Sequence, residues 1–326
     1  SENIDEVYPQ YFPKQNTELE AYQQIEKDLL DAVLYAPDNT PGNKTLFSKS
    51  VARTLLAKIY AEKPLRDYTK VIQYCDEVKE DGFDLVDDFS DLFGMNAAGT
   101  DAKMRNTKES ILEAQFTSGA GNWCTWMFGR DLVNWNNNFT WAKWVTPSRD
   151  LISAFKQEGD EVRFKESIVY YDCNWSNYYP SDNYPFMYKC RSANSSIIKY
   201  RYADVLLLKA EALIMQDTPD LEGAADIIDE VRDRAKLGAL PTSVRSNKNV
   251  LLNALLKERR LELAFEGQRW FDLVRLDKVE EVMNAVYSKD SGRKAQIYTF
   301  DKNSYRLPNP QSVIDANDKI HQNPGY

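Results

Sequence analysis

Residues 197 to 215 read IIKYRYADVLLLKAEALIM, and this stretch limits the fold more than any other. Ala203, Leu206, Leu207, Ala210, Leu213 and Ile214 line one face of a helix, while Val205, Leu208 and Ala212 make a second side apolar. A helix buried on two sides fits the inside of a stacked helical array. The next helix, 220 to 236, turns Ala224, Ile227, Ile228 and Val231 inward after a short Asp/Pro turn. Small alanines set against large aliphatics in two antiparallel helices follow the logic of a tetratricopeptide helix pair.

The flanking sequence extends this stack. Helices are expected over 17–36, with Leu19, Tyr22, Ile25, Leu29 and Val33 as the stripe, and over 48–62, with Ser48 as N-cap and Val51, Leu55 and Ile59 inward. A third covers 67–80 on Val71, Cys75 and Val78, and further helices cover 248–266 and 268–285. Between 95 and 196 the periodicity lapses. One helix is expected at 147–158, with Pro147 in its first turn and Gly159 past its end, and short strands at 111–116 and 167–171. The last forty residues read as irregular. The chain is therefore read as mainly α, a tetratricopeptide-like array of helix pairs with a long loop-rich insertion in the middle. Residues 1–326 are taken as one domain: scaffold at 1–94, loop-rich ligand region at 95–196, scaffold at 197–285 and an extended terminus at 286–326.

Composition removes several functions. A net charge of −9 over 326 residues opposes nucleic acid and anionic lipid. The single histidine, His321, excludes multi-histidine metal sites and would have to carry any Ser-His or Cys-His chemistry alone. Cys75, Cys124, Cys173 and Cys190 have no C-x-x-C spacing; Cys173 and Cys190 bracket a Tyr/Asn/Pro-rich loop and could pair, though thiols are the simpler reading. No apolar run is long enough to span a membrane. The chain opens at SENIDEVYP without a signal peptide, which suits a mature or trimmed form.

Residues 122–144, NWCTWMFGRDLVNWNNNFTWAKW, hold five of the seven tryptophans. A flat indole stacks under the C–H face of a sugar, and Asn, Asp and Arg meet its hydroxyls. Trp123, Trp126, Arg130, Asp131, Asn134, Trp135, Asn136, Trp141 and Trp144 are the candidate ligand contacts. A second aromatic cluster, YYDCNWSNYYPSDNYPFMY at 170–188, adds Trp175 and Tyr178, with Tyr179 beside them, unless it is simply an ordered loop. Glu258, Glu262 and Glu266 share a helix face among Arg259, Arg260, Arg269 and Arg275. Glycoside hydrolysis needs two carboxylates across a cleft, one with a raised pKa. Arginines lower carboxylate pKa values, so an internal ion-pair network is expected instead, with Trp270 and Phe271 in the core.

Three blocks, YRYADVLLLKAEAL at 200–213, ERRLELAFEGQRWFDLVRL at 258–276 and RLPNPQSVIDANDKIHQNPGY at 306–326, resemble, in this order, the C-terminal half of the SusD/RagB family. TPSRDLISAFKQEGDEVRF at 146–164 resembles its central segment, and the N-terminal helices and SDLFGMN follow its layout more loosely. The resemblance implies a cell-surface, lipid-anchored outer-membrane protein that captures oligosaccharide or polysaccharide and delivers it to a SusC-like TonB-dependent transporter. It implies a binding protein and not an enzyme; a peptide-binding or scaffolding member is the alternative, a glycoside hydrolase a remote one. No cofactor is expected, and the residues leave open whether calcium tightens such a site. Family members are longer and begin at a lipidated cysteine. That anchor and a first block of helices are missing from this chain, so it is read as a truncated or reduced member.

Overall fold

The computed structural model describes residues 12–117, 121–122, 145–173, 176–289 and 299–326. At its centre lies the two-sided apolar helix, which begins only at Tyr202. The residues before it, Ile197–Arg201, form a strand. In chain order the helices are α1 (Glu18–Tyr35), α2 (Lys49–Ala61), α3 (Tyr68–Glu80), α4 (Ser90–Phe93), α5 (Arg149–Glu158), α6 (Glu161–Ser167), α7 (Tyr202–Met215), α8 (Leu221–Arg234), α9 (Thr242–Arg245), α10 (Lys248–Glu262), α11 (Arg269–Arg275), α12 (Val279–Lys289) and α13 (Gln311–Ala316). The strands are β1 (Ser110–Ala114), β2 (Ile168–Tyr171), β3 (Tyr184–Met187) and β4 (Ile197–Arg201). They make two antiparallel pairs, β1 with β4 and β2 with β3.

Helix α7 packs against α2, α3, α8 and α10, while α1, α2 and α3 stack in sequence. Ala203, Val205, Leu206, Leu207, Leu208, Ala210, Ala212 and Ile214 are all buried, so both apolar sides of α7 have partners. Val51, Leu56, Val71, Cys75, Val78, Ala224, Ile228 and Val231 complete this core. Each large aliphatic buried here contributes about 1.5–3 kcal/mol. The mainly helical, paired-helix architecture agrees with the sequence.

Several local expectations change. In α1 only Leu29 is buried, and Leu19 and Ile25 are exposed, because among the described residues the helix is the outer member of the stack and packs chiefly on α2. Ser48 occupies the N-cap of α2 without a side-chain hydrogen bond. Ser148, not Pro147, opens α5: its hydroxyl accepts from the Leu151 amide, leaving Pro147 outside the helix. The helix expected over 268–285 is two, α11 and α12, broken at Asp277, which adopts φ 55°. Consequently Phe271 is 60% exposed and Trp270 is half-buried against Phe300, whereas Asp272, Leu273 and Arg275 face inward. No disulfide joins Cys173 and Cys190. Among the described residues no helix is long and apolar enough to cross a membrane.

Charges join apolar side chains in binding the middle of the chain to the helices. Glu262 of α10 accepts from Arg201 Nη1 at 2.5 Å, from Arg163 Nη1 at 3.0 Å and from Arg234. Arg163 also holds Glu258 at 2.6 Å and Asp160 at 2.5 Å. Arg201 reaches Glu109 and Glu266, each at 2.7 Å, and Lys189 donates to Glu266 at 2.6 Å and to the Glu262 carbonyl at 2.9 Å. A second cluster joins Arg259 to Asp204 and Asp272, and Arg275 to Glu211. Thus α6, β1, β4 and the segment after β3 are all tied to one face of α10. The expected network is present, and its arginines are those of neighbouring elements as much as those of the 258–276 block.

Candidate functional site

The site is assembled by α5 and the β2–β3 hairpin. Helix α5 is anchored by an apolar face, Leu151, Ile152 and Phe155, packed on Ile168 of β2 and on Leu261 and Ala264 at the end of α10. Its C-terminus is closed by Gly159 at φ 68°, a left-handed turn that glycine adopts without strain. The hairpin pairs Ile168 with Met187 and Tyr171 with Tyr184, and the Cys173 amide donates to the Ser181 carbonyl at 2.6 Å across the loop.

That closure stacks the loop aromatics into a ladder. Tyr178 meets Tyr179 edge to face at 4.9 Å, Tyr179 meets Tyr184 likewise at 5.6 Å, and Tyr184 lies 5.2 Å from Phe186. Arg149, first residue of α5, places its guanidinium 4.2 Å from the Tyr178 ring centre and 4.4 Å from that of Tyr179, and donates to the Tyr178 carbonyl. A flexible cation is thereby held at a fixed point. On one side of it a cleft of about 490 Å³ opens between α5 and the hairpin, walled by Ile152, Ser153, Lys156, Gln157, Tyr170 and Asn183. On the other a shallower depression of about 850 Å³ is lined by Ser176, Asn177, Tyr178 and Ser181. Tyr179 and Pro180 belong to both. These volumes suit small-molecule sites, which run to roughly 300–1,000 Å³. Aromatic faces beside hydroxyls and amides form a surface that can accept the two faces of a sugar ring.

Of the twelve residues singled out from sequence, Tyr178 and Tyr179 fall among the described residues, and both stand in the ladder. Trp123, Trp126, Arg130, Asp131, Asn134, Trp135, Asn136, Trp141, Trp144 and Trp175 lie outside them. The points where the described chain enters and leaves 123–144 are nevertheless fixed. Buried Asn122 donates from its amide to the Ala193 carbonyl at 2.6 Å and from Nδ2 to the Ser195 carbonyl at 2.9 Å. Thr146 bonds the Tyr184 hydroxyl at 3.1 Å, and the Pro147 carbonyl accepts from Tyr179 at 2.8 Å. Both ends thus adjoin the hairpin and the segment that follows it.

Sequence reasoning passed over Arg149, Lys156, Tyr170 and Asn183. A signal was present: Arg149, Ser153, Lys156 and Gln157 recur at i, i+4, i+7 and i+8, a polar stripe opposite the apolar one.

A third cleft, about 520 Å³, lies between β4 and residues 265–268, with Met187, Lys189, Tyr200 and Phe265 in its wall. Burial lowers the Lys189 ammonium to a pKa of about 8 even though Glu266 opposes the shift. The glutamate face of α10 does not supply an acid/base pair. Burial pushes Glu262 up, but Arg234, Arg201 and Arg163 outweigh it and hold the carboxyl well below its usual range. Burial wins at Glu258, which rises despite Arg163, so arginine does not lower every carboxylate of this face as the sequence suggested. Both are sealed from solvent within the network. Among the described residues no group of His, Cys, Asp or Glu is placed to hold a metal ion.

Comparison with known proteins bears on the whole arrangement. The model of the SusD family matches residues 184–326. The chain is 43% identical over 99 residues to one SusD-like protein of Formosa agariphila and 36% identical over 143 residues to another. These alignments cover 28% and 42% of this chain but 19% and 27% of the relatives, so the chain aligns with less than a third of either. Among solved structures, a SusD-like protein from Bacteroides fragilis superposes with a TM-score of 0.73 at 22% identity, covering 96% of this chain and 72% of that one. A laminarin-binding SusD-like protein superposes with a TM-score of 0.68 at 25% identity, covering 94% of this chain and 69% of that one. All three sequence blocks that carry the resemblance lie inside the matched stretch, and the helical fold of SusD-like proteins is shared over nearly the full chain: residues 184–326 match the SusD family, and the whole chain has the fold of its solved members.

Proposed function

We propose that the protein captures a saccharide at the outer-membrane surface, on the tyrosine ladder around Arg149 and on the tryptophan-rich segment whose ends adjoin it, and that it passes the saccharide to a TonB-dependent transporter. The observation that carries this reading is the Arg149 guanidinium held against the rings of both Tyr178 and Tyr179 where two clefts share it as a lining residue. Rigid aromatic planes and a fixed fork of donors suit a ligand with an apolar ring face and a polar edge, and they lose little freedom on binding. The laminarin-binding relative of the same fold, 25% identical, supports a glycan as the ligand class. The buried glutamates of α10 favour binding over turnover, because substrate has no path to them. The transporter half of the reading draws on exposed apolar side chains: Leu30, Leu34 and Tyr35 at the end of α1, and Leu46 and Phe47 in the loop that follows.

The test is calorimetric titration of this chain with a panel of soluble glycans, followed by Tyr178→Ala, Tyr179→Ala and Trp→Ala changes at 123, 126, 135, 141 and 144. A stacked ring is worth about 0.5–1.5 kcal/mol beyond its buried area, so each tyrosine change should weaken binding by about tenfold. Undiminished binding in all of these variants would refute the site. A chain that binds no glycan but co-purifies with a transporter is a scaffold instead.

A further inference from the structure

The saccharide reading leaves the charge of the ligand undecided, and the cleft between α5 and the hairpin bears on it. Its wall contains two cations, Arg149 and Lys156, and no carboxylate. On a chain with a net charge of −9 that is a local exception rather than a consequence of the overall field. The acidic residues closest along α5 are committed elsewhere. Asp150 is held by Arg260 at 2.6 Å, and Glu158 by Arg232 at 2.9 Å and by Lys257. Lys156 is exposed, and its ammonium makes no ion pair among the described residues. Between and opposite the two cations stand groups suited to a sugar: Ser153 and Gln157 on the helix, Tyr170, Tyr179 and Asn183 on the hairpin.

Resting on that reading, we propose that this cleft takes an anionic saccharide, one bearing carboxylate or sulfate groups, with a ring against Tyr179 and an anionic substituent on Lys156. Seven residues separate Arg149 from Lys156, about 10.5 Å along the helix axis. Arg149 is pinned by its two rings, so it cannot swing to Lys156 to share one anion. The two positive charges instead meet successive charged groups along a chain. The ligand is thus a polymer or oligomer with repeated negative charge, and a single charged monosaccharide binds far more weakly.

The experiment uses the chain as it stands, with four probes: a polyuronate, a sulfated galactan, laminarin and dextran. Binding is measured by affinity electrophoresis and calorimetry at two salt concentrations. Wild type should bind at least one of the charged probes about tenfold or more tighter than either neutral one, with affinity falling as salt rises. Lys156→Gln should cost about tenfold on the charged probe and flatten its salt dependence, whereas Lys27→Gln, an exposed lysine of α1, should change neither. Whether the polyuronate or the galactan responds identifies carboxylate or sulfate as the recognised group. Tighter binding of a neutral glycan that depends on Tyr179 but not on Lys156 overturns this inference and leaves the saccharide reading intact. Equal losses in Lys156→Gln and Lys27→Gln mean diffuse attraction and overturn it as well. Binding of no probe at all removes both.

Discussion

Glu258 and Glu262 lie one turn apart on α10, both buried and both bonded to Arg163, and from their positions alone they would be given the same weight. Their surroundings predict unequal costs. Glu262 neutralises three guanidiniums, so Glu262→Gln strands charge on Arg163, Arg201 and Arg234 at once. Breaking a buried pair costs about 3–5 kcal/mol, and each arginine here keeps another carboxylate, which places the loss at about 3 kcal/mol. For a chain of 326 residues that corresponds to a fall in Tm of about 4 °C. Glu258 is different: burial already raises its carboxyl, so removing its charge relieves a penalty while losing bonds to Arg163 and Arg232. Glu258→Gln should cost about 1 kcal/mol. Urea unfolding at pH 7, followed by circular dichroism, measures both at constant m-value. Acid adds a second arm. Because the folded-state pKa of Glu262 is depressed, its stabilisation is complete above the unfolded carboxylate pKa of about 4.3 and is lost as pH falls below it. The gap between wild type and Glu262→Gln should therefore narrow from pH 5 towards pH 3. Equal costs for the two variants, or a greater cost at Glu258, would refute the assignment of the network's centre to Glu262.

The Lys189 ammonium has a folded pKa of about 8, below its unfolded value, so its burial penalty is full under pH 8 and is relieved as pH rises; wild type should gain stability relative to Lys189→Met between pH 8 and pH 10, read by urea titration. Gly159→Ala puts a Cβ into open space but at φ +68°, so it should cost about 1 kcal/mol, or 1–2 °C in a thermal melt, from backbone strain alone. Thr17→Ala removes the capping box of α1, whose sole buried residue is Leu29; a loss of about 1 kcal/mol should speed amide exchange in the first turn about fivefold without moving the global transition.

Periodicity made the central helices and the short strands legible, though it overstated the buried stripe of α1. The two-sided helix α7, the stripes of α3 and α8 and the short strands β1 and β2 are where the pattern put them. Strand β4 was hidden because IIKYR runs into YADV with no glycine or proline between, so strand and helix read as one apolar stretch. The break between α11 and α12 was hidden because an aspartate, not a glycine, takes the left-handed turn at Asp277. Phe271 was misplaced for a related reason: in a helix of seven residues the inward face is given to Asp272 and Arg275, and composition cannot reveal that ion pairs have displaced an aromatic. The site was legible only through Tyr178 and Tyr179. The clefts on either side of Arg149 arise from the approach of α5 to the hairpin, a long-range contact that neither segment announces alone.

The charge network of α10 has a historical consequence. A lineage can exchange one apolar side chain for another in small steps, each tolerable, and drift across sequence space. The set formed by Glu109, Arg163, Arg201, Arg234 and Glu262 has no such gradual exit, since any first replacement orphans a charge in a dry interior. It acts as a ratchet: members must change together or not at all. The hydroxyls, amides and rings around Arg149 face water and carry no such linkage, so ligand preference is free to wander while the frame beneath it stays still.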